Sequence, residues 1–224
     1  MKLHLENIGL IQDATIEMQG ITVIAGENGT GKSTVGKALY SIFNSFYEVQ
    51  EQIRKERFQS IENIIQIMYN FYSPRHEKIV NIHGYSIELL KNRDKYAKFP
   101  EKLKKDLKVM LEIDPDRSGL KIDQLRMDDF VGHIVESLKI SDEAILNSLI
   151  ARKLNIEFNN QLLNVFAEDR GKIELHVQNE NLHIEVEQER ICANRLDFGL
   201  HTEAIYIDDP FVLDNIDILS LIHI

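Results

Sequence analysis

Residues 26–33, GENGTGKS, match the spacing G-x-x-x-x-G-K-[ST] at every fixed position. Glycines let the backbone curl so that successive N–H groups point at an anion, which side chains would obstruct. The helix expected after the loop directs the positive end of its dipole at the same place. This pattern is typical of a loop that binds the phosphates of a nucleoside triphosphate, and we call residues 26–33 the phosphate loop.

The pattern also assigns roles to single side chains. Lys32 is predicted to reach the β- and γ-phosphates, and the Ser33 hydroxyl is predicted to ligate Mg²⁺. The predicted nucleotide-binding residues are Gly26, Glu27, Asn28, Gly29, Thr30, Gly31, Lys32, Ser33 and Thr34.

The residues on either side of the phosphate loop predict the elements that position it. The apolar run of residues 21–25 predicts a buried strand that ends at Gly26. After Ser33, apolar residues recur at helical spacing, which predicts an amphipathic helix. Its predicted apolar stripe consists of Val35, Leu39, Ile42, Phe43 and Phe46.

The first twenty residues alternate between apolar and polar types, which predicts two short strands before the phosphate loop. Leu3 and Leu5 alternate with polar residues, a turn follows at residues 7–9, and Ala14 and Ile16 resume the alternation. Small GTPases and simple kinases usually begin closer to the strand of their phosphate loop.

Residues 1–43 resemble the N-terminus of the SMC/RecF/OLD-like branch of ABC-type ATPases, most specifically in ENGTGKST. The resemblance implies an α/β P-loop NTPase fold, of the ABC/SMC-like head lobe type, with ATP and Mg²⁺ as cofactors. It also implies a homodimer of heads that encloses ATP and a role on DNA, in repair, chromosome maintenance or defence against phage. In that family a helical insertion separates the P-loop lobe from the signature and Walker B motifs.

This resemblance and the change of periodicity along the chain predict four segments. Residues 1–44 are expected to form the P-loop lobe, and residues 45–166 a mostly helical insertion. Residues 167–218 are expected to form a β-hairpin and return to the core sheet. Residues 219–224 look like a translated sequencing adapter, so we expect that they are not native and that the natural protein continues.

The middle of the chain carries several helical signals. Residues 45–72 and residues 102–111 are predicted to be helices, and residues 78–90 fit either a hairpin or a helix. Ser141 is a predicted N-cap because acidic residues follow it in the first turn. The face of the helix after Ser141 is predicted to consist of Leu146, Ile150, Leu154, Phe158 and Leu162.

After Gly171 the period changes from helical to alternating, which predicts an antiparallel hairpin with its turn at residues 179–181. Its apolar face is predicted to consist of Ile173, Leu175, Val177, Leu182, Ile184 and Val186. Its other face holds Glu174, His176, His183, Glu185 and Glu187. We interpret this second face as solvated, with a metal site at His176 and His183 as the alternative.

Hydrolysis in the resembling family requires a Walker B strand that ends in acids. Only residues 204–210, AIYIDDP, have this form, and they make Asp208 and Asp209 the candidate catalytic acids. A signature helix should precede them, but the one Ser-Gly pair, Ser118-Gly119, is not followed by an amphipathic helix. The favoured interpretation is therefore a core strand of the first lobe, with the true Walker B lying elsewhere, and a chance acidic turn is the third.

Two other functional readings stay open at this point. The chain is a nucleotide-binding regulatory module without turnover of its own, or it is a GTPase. The second rests on residues 116–119, which fit D-x-x-G, and on residues 194–197, which approximate N-K-x-D.

Residues 91–108 carry eight cations against three acids, with Tyr96 and Phe99 interleaved. A solvated helix face and loop is the favoured interpretation, and contact with DNA phosphates is the alternative.

Composition restricts the class of protein. With 43% hydrophobic and 28% charged residues, an ordered globular fold is expected, and a net charge of −10 argues against a chain coated uniformly for nucleic acid. The single Cys192 excludes an internal disulfide and suits the cytoplasm. The N-terminus lacks a signal peptide, and no apolar run approaches the length of a membrane span.

Overall fold

The computed structural model describes residues 1–72, 80–111, 121–166, 170–187, 190–194 and 204. The chain divides into two compact units. One consists of Met1–Val49 together with Leu146–Ile224, and the other of Gln50–Ile145. None of the helices within the described ranges is long and apolar enough to cross a membrane.

Five strands of the first unit form one antiparallel sheet in the order β2-β1-β3-β4-β5. Their bounds are β1 (Lys2–Ile8), β2 (Ile11–Glu17), β3 (Arg170–Val177), β4 (Glu180–Glu187) and β5 (Ile191–Ala193). Seven helices lie within the described ranges: α1 (Lys32–Phe46), α2 (Val49–Tyr72), α3 (Ile82–Lys91), α4 (Arg93–Lys98), α5 (Pro100–Met110), α6 (Lys121–Lys139) and α7 (Asp142–Glu157).

Both predicted hairpins are confirmed, with one change of register. Val177 pairs with Glu180, so the turn of the second hairpin consists of residues 178 and 179 and not of residues 179–181. The turn begins one residue early because Gln178 adopts a left-handed conformation, with φ 54°. Glu180 is thereby the first residue of β4.

The two hairpins join through β1 and β3, which pair antiparallel although about 170 residues separate them. Leu3 lies opposite Leu175, and Leu5 lies opposite Ile173. These four side chains are fully buried, and Ile184 on β4 continues the same apolar face. Alternation along each strand therefore gives the sheet one dry face, as the sequence pattern predicts.

The predicted helix after the phosphate loop is confirmed as α1. Val35, Ile42 and Phe46 are buried as expected, whereas Leu39 and Phe43 are only half-buried. Ala38, Ser41 and Ser45 share the buried face. The buried face of α1 is therefore rotated slightly from the face that its large apolar residues predict.

Helix α7 also follows its prediction. The Ser141 Oγ accepts a hydrogen bond from the Ala144 backbone N–H at 3.1 Å, which confirms the N-cap. All five residues of the predicted apolar face are buried, but α7 ends at Glu157, so Phe158 and Leu162 lie beyond the helix. The Asn147 side chain accepts a hydrogen bond from the Ala193 N–H at 3.0 Å and so ties α7 to the edge of the sheet.

The prediction of a buried strand at residues 21–25 is wrong. These residues adopt no strand, and the side chains of Ile21 and Val23 are 96% and 84% exposed. Gly20, with φ 61°, turns the chain out of line with β2. An apolar run becomes a strand only when a neighbour takes its backbone hydrogen bonds, and no strand in the described part of the chain lies beside this segment.

The second unit contains helices α2 to α6 and the start of α7. Residues 45–72 form the end of α1 and then α2, separated at Glu48, where φ is 46°. Residues 82–91 form a helix and not a hairpin, since the Asn81 side chain accepts the Gly84 N–H at 2.9 Å as an N-cap. The hydrophobic core of the second unit includes Ile61, Ile65, Met68, Leu89, Leu103, Leu107, Ile134 and Leu138.

Two arginines hold the C-terminal end of α6. Arg57, which is 6% exposed, donates to the carbonyl oxygens of Ser137 and Ile140 and to Asp142 at 2.6 Å. Arg93 donates to Leu138 O at 2.5 Å and to Ile140 O at 3.2 Å. These bonds satisfy carbonyl groups that a helix leaves without intrahelical partners at its end.

The polar face of the sheet, opposite the apolar face, is organised around Glu174. Its Oε1 accepts from Lys172 at 2.8 Å and lies 3.2 Å from His183 Nδ1, and its Oε2 lies 3.1 Å from His4 Nδ1. These hydrogen bonds, that of Lys172 first and then that of His4, lower the pKa of Glu174 to about 2. The charged carboxylate thus helps to hold β1, β3 and β4 together.

We expect Glu174→Gln to destabilise the protein by about 1–2 kcal/mol at neutral pH, after allowance for a side chain that is 27% exposed. A carboxylate whose pKa is lowered stabilises the fold above its ordinary pKa of 4.5 and loses that effect as pH falls towards 2. The difference in unfolding free energy between wild type and Glu174→Gln should therefore shrink between pH 5 and about pH 2. Urea denaturation followed by circular dichroism measures it.

The matched control is Glu185→Gln on β4, because that carboxylate is 69% exposed and lies 3.3 Å from His183 Nε2. Its effect should stay within about 0.5 kcal/mol at every pH. A Glu174→Gln penalty that stays constant from pH 7 to pH 2 would contradict the assigned role.

Candidate phosphate-binding site

The phosphate loop leads directly into α1. Residues 21–30 are exposed, so the loop is open to solvent. Gly29 and Gly31 have φ values of 81° and 88°, in the region that disfavours other residues. Two of the three glycines in the phosphate loop are therefore favoured by the conformation of the backbone.

The Lys32 side chain curls back over the loop. Its Nζ donates to the carbonyl oxygen of Gly26 at 2.8 Å and also to that of Glu27. The Thr30 Oγ1 donates to Glu27 O at 2.9 Å, which closes the loop from its other side. A charged ammonium group is thus held beside the loop backbone, where the motif predicts phosphate oxygens.

The first turn of α1 has a free positive end. Gly31 is its N-cap residue and provides no side chain to accept the first N–H groups, and the turn contains no acidic residue. Gly31 O accepts the N–H groups of Thr34 and Val35, at 3.1 and 3.4 Å. A helix leaves its earliest N–H groups without intrahelical acceptors, so those of Lys32 and Ser33 suit an anion.

The two hydroxyl residues after Lys32 differ in exposure. Ser33 is exposed on the first turn, as a side chain must be to ligate a metal ion that is bound with a nucleotide. Thr34 is 6% exposed and packs into the protein. Glu27 and Asn28 are exposed on the loop, beside Gly26 and Gly29.

The β1–β2 hairpin supports the start of α1, which the sequence did not predict. A Cβ atom on Gly31 would lie 2.8 Å from Cγ1 of Ile11. A Cβ atom on Gly9, in the hairpin turn, would lie 3.0 Å from the Thr34 side chain and 3.2 Å from Phe158. The Gly9 N–H donates to Leu162 O at 2.7 Å. Gly9 in the predicted turn was the available signal, but the turn alone does not identify its neighbours.

The other candidate site residues have different outcomes. Asp208 and Asp209 lie outside the described residues, as do Ser118 and Gly119. The expectation that no amphipathic helix follows Ser118-Gly119 is wrong, because α6 begins at Lys121 and buries Val131, Ile134 and Leu138 on one face. Asn194 belongs to the edge of the sheet, where its side chain accepts the His183 N–H at 2.9 Å.

The alternative prediction of a metal site at His176 and His183, on the polar face of the sheet, is not supported. Within the described ranges, no group of three or more His, Cys, Asp or Glu side chains could hold a metal ion. His176 is hydrogen-bonded to Asn181, and His183 lies between Glu174 and Glu185. These contacts are consistent with the interpretation of this face as a polar surface without a metal ion.

The packing of Gly31 leads to a stability test. Gly31→Ala places a methyl group against Ile11 in a left-handed conformation, and we expect a loss of about 2–3 kcal/mol. Gly20→Ala is the matched control, because Gly20 also has a positive φ, 61°, but nothing within 4 Å of the added methyl group. Its expected loss is about 1 kcal/mol. Urea denaturation measures both, and equal losses would mean that the contact with Ile11 does not matter.

Comparison with known proteins adds one finding. The family model of the AAA ATPase domain matches residues 1–190. No curated protein and no solved structure matches the chain. The match covers most of the sequence, including the phosphate loop, both hairpins and the helices between them. The chain therefore belongs to the AAA ATPase domain family.

Proposed function

We propose that this chain binds Mg·ATP in the phosphate loop, as the nucleotide-binding head of an SMC/RecF/OLD-like ATPase. The observation that carries the proposal is the position of Lys32. Its ammonium group bonds to Gly26 O and Glu27 O beside the uncapped N-terminus of α1. Membership of the AAA ATPase domain family supports ATP as the nucleotide at a coarse level.

The residues present fit Mg·ATP. The backbone N–H groups at the start of α1 and the Lys32 ammonium provide positive charge for the phosphates. The exposed Ser33 hydroxyl is an oxygen ligand of the kind that Mg²⁺ prefers. When bound, the metal ion would neutralise phosphate charge, and Lys32 would exchange its bonds to the loop carbonyls for bonds to phosphate oxygens.

We expect Lys32→Ala to weaken the binding of Mg·ATP at least tenfold, since it removes charge-assisted hydrogen bonds worth about 1.5–3 kcal/mol. Lys37→Ala is the matched control, because it removes the same charge from α1 one turn beyond the loop. Its affinity should stay within about twofold of wild type. Fluorescence anisotropy of a labelled ATP analogue gives both affinities. Equal affinity of Lys32→Ala and wild type would refute the site.

The SMC/RecF/OLD-like assignment rests on the resemblance of residues 1–43 and goes further than the family match. It adds a homodimer in which two heads enclose ATP, and it adds DNA as the general target. The GTPase alternative differs in base preference, so competition by GTP that is stronger than competition by ATP would favour it.

The candidate acids for hydrolysis, Asp208 and Asp209, lie outside the described residues. We propose Asp208 as the acid of the magnesium shell and Asp209 as the group that orients water, if this chain hydrolyses ATP by itself. The alternative is a regulatory module that binds ATP without turnover of its own.

The two alternatives separate in a phosphate-release assay of the purified chain. We expect a rate close to background for both wild type and Asp209→Asn, with ATP binding intact in both. The reason is that turnover needs groups that close over the γ-phosphate from the opposite side. A wild-type rate well above background that is lost in Asp209→Asn, with binding retained, would show that Asp209 is catalytic.

A further inference from the structure

The basic segment of residues 91–108 contains two kinds of cation. Arg93 and Lys104 are engaged inside the helical unit, Arg93 with carbonyl groups at the end of α6 and Lys104 with Asp128. The exposed lysines of the segment form no ion pair with a carboxylate in the described part of the chain. Four of these lie on α4 and α5: Lys95, Lys98, Lys102 and Lys105.

These four lysines lie on the outward faces of two consecutive helices. Lys95 and Lys98 are three residues apart on α4, and Lys102 and Lys105 are three residues apart on α5, so each pair shares a helix face. Tyr96, Leu103 and Leu107 are buried on the other sides of the same helices. We call Lys95, Lys98, Lys102, Lys105 and Phe99 the lysine surface.

Two of its ammonium groups are close together. Lys95 lowers the pKa of Lys102, first through a side-chain hydrogen bond and then through repulsion between the two charges. The acid nearby, Asp106, already accepts a hydrogen bond from the Tyr96 hydroxyl at 2.9 Å. Neighbouring like charges repel each other, and a bound anion would reduce that repulsion.

The excess of positive charge in residues 91–108 differs from the net charge of the unit that contains them. Gln50–Ile145 contains 17 Lys and Arg and 17 Asp and Glu, so its formal charge is zero and the net −10 of the chain comes from the rest. Within this neutral unit, residues 91–108 have eight cations and three acids, an excess of five positive charges. The excess is therefore local to one segment.

Phe99 lies between the two lysine pairs, at the junction of α4 and α5. Its side chain is 61% exposed, although burial of a phenyl group stabilises a protein. An exposed aromatic ring among cations is the arrangement with which proteins stack a nucleobase while they neutralise its phosphates.

We propose that the lysine surface binds single-stranded nucleic acid, with the four lysines on successive phosphates and Phe99 stacked on a base. A lysine ammonium is a compact charge that binds a phosphate oxygen without the fixed, two-pronged geometry of a guanidinium. Arg93, the one arginine of the segment, is engaged internally with a carbonyl group of α6. The lysine surface is in the helical unit and the phosphate loop is in the other unit, so this proposal does not depend on ATP binding.

The test measures fluorescence anisotropy of a labelled 20-nucleotide oligo(dT) with the full chain at several salt concentrations. Lys95→Glu/Lys102→Glu should weaken binding at least tenfold. It should also reduce the salt slope from about 2.8 to about 1.4, because each phosphate contact contributes about 0.7 for a single strand. Phe99→Ala should weaken binding about fivefold or more without a change of slope.

The matched control is Arg54→Glu/Lys55→Glu, which makes the same change of charge at two exposed residues of α2. Its affinity for oligo(dT) should remain within about threefold of wild type. Single Lys102→Glu tests folding, because it places an acid beside Lys95 and should leave the melting temperature unchanged or higher while binding falls.

Three results would overturn the proposal. The first is equal loss of affinity in the control and in Lys95→Glu/Lys102→Glu. The second is binding of a poly-glutamate of equal length as tightly as oligo(dT), which would indicate an acidic protein partner. The third is tighter binding of a duplex than of the single strand, with no effect of Phe99→Ala. Lys32→Ala should bind oligo(dT) like wild type, so failure of the ATP site remains a separate result.

Discussion

The start of α1 depends on the close approach of a hairpin turn to a helix, which two glycines permit. Gly31 has no room for a side chain beside Ile11, and Gly9 has little beside Thr34 and Phe158. The hairpin is itself fixed, because β1 pairs with β3 along its length. The orientation of the first turn, and with it the direction of its N–H groups, is therefore set by strands from both ends of the chain. The proposed binding of phosphates would depend on this support, since residues 21–30 are exposed.

Charge is distributed unequally between the two units. All of the net negative charge belongs to the unit that contains the phosphate loop, and the helical unit is neutral with one basic segment. Several buried or half-buried charges are paired or hydrogen-bonded, as with Arg57 and Asp142 or Lys172 and Glu174. The exposed lysines of α4 and α5 differ from these, which is why they suggest a partner and Arg93 does not.

Local sequence patterns predicted the elements that depend on local interactions. The alternation of Leu3 and Leu5 indicated a strand, the cap at Ser141 indicated the start of α7, and the motif indicated the helix at Lys32. Long-range pairing was not predictable, because a period of two does not identify the partner of a strand. For the same reason the apolar residues 21–25 were wrongly assigned to a buried strand. Composition likewise could not separate Arg93 and Lys104, which serve the fold, from the lysines that remain exposed.

The most direct test of the account is a ¹H–¹⁵N NMR titration of the isotopically labelled chain with Mg·ATP, since it reports on each backbone N–H group. We expect the largest shifts at the amides of residues 26–34, with Lys32 and Ser33 among them, because these groups are predicted to donate to phosphate oxygens. ATP without Mg²⁺ should give smaller shifts at Ser33. No shift in this segment at saturating Mg·ATP, or shifts confined to other parts of the chain, would contradict the assignment of the phosphate loop as the nucleotide site.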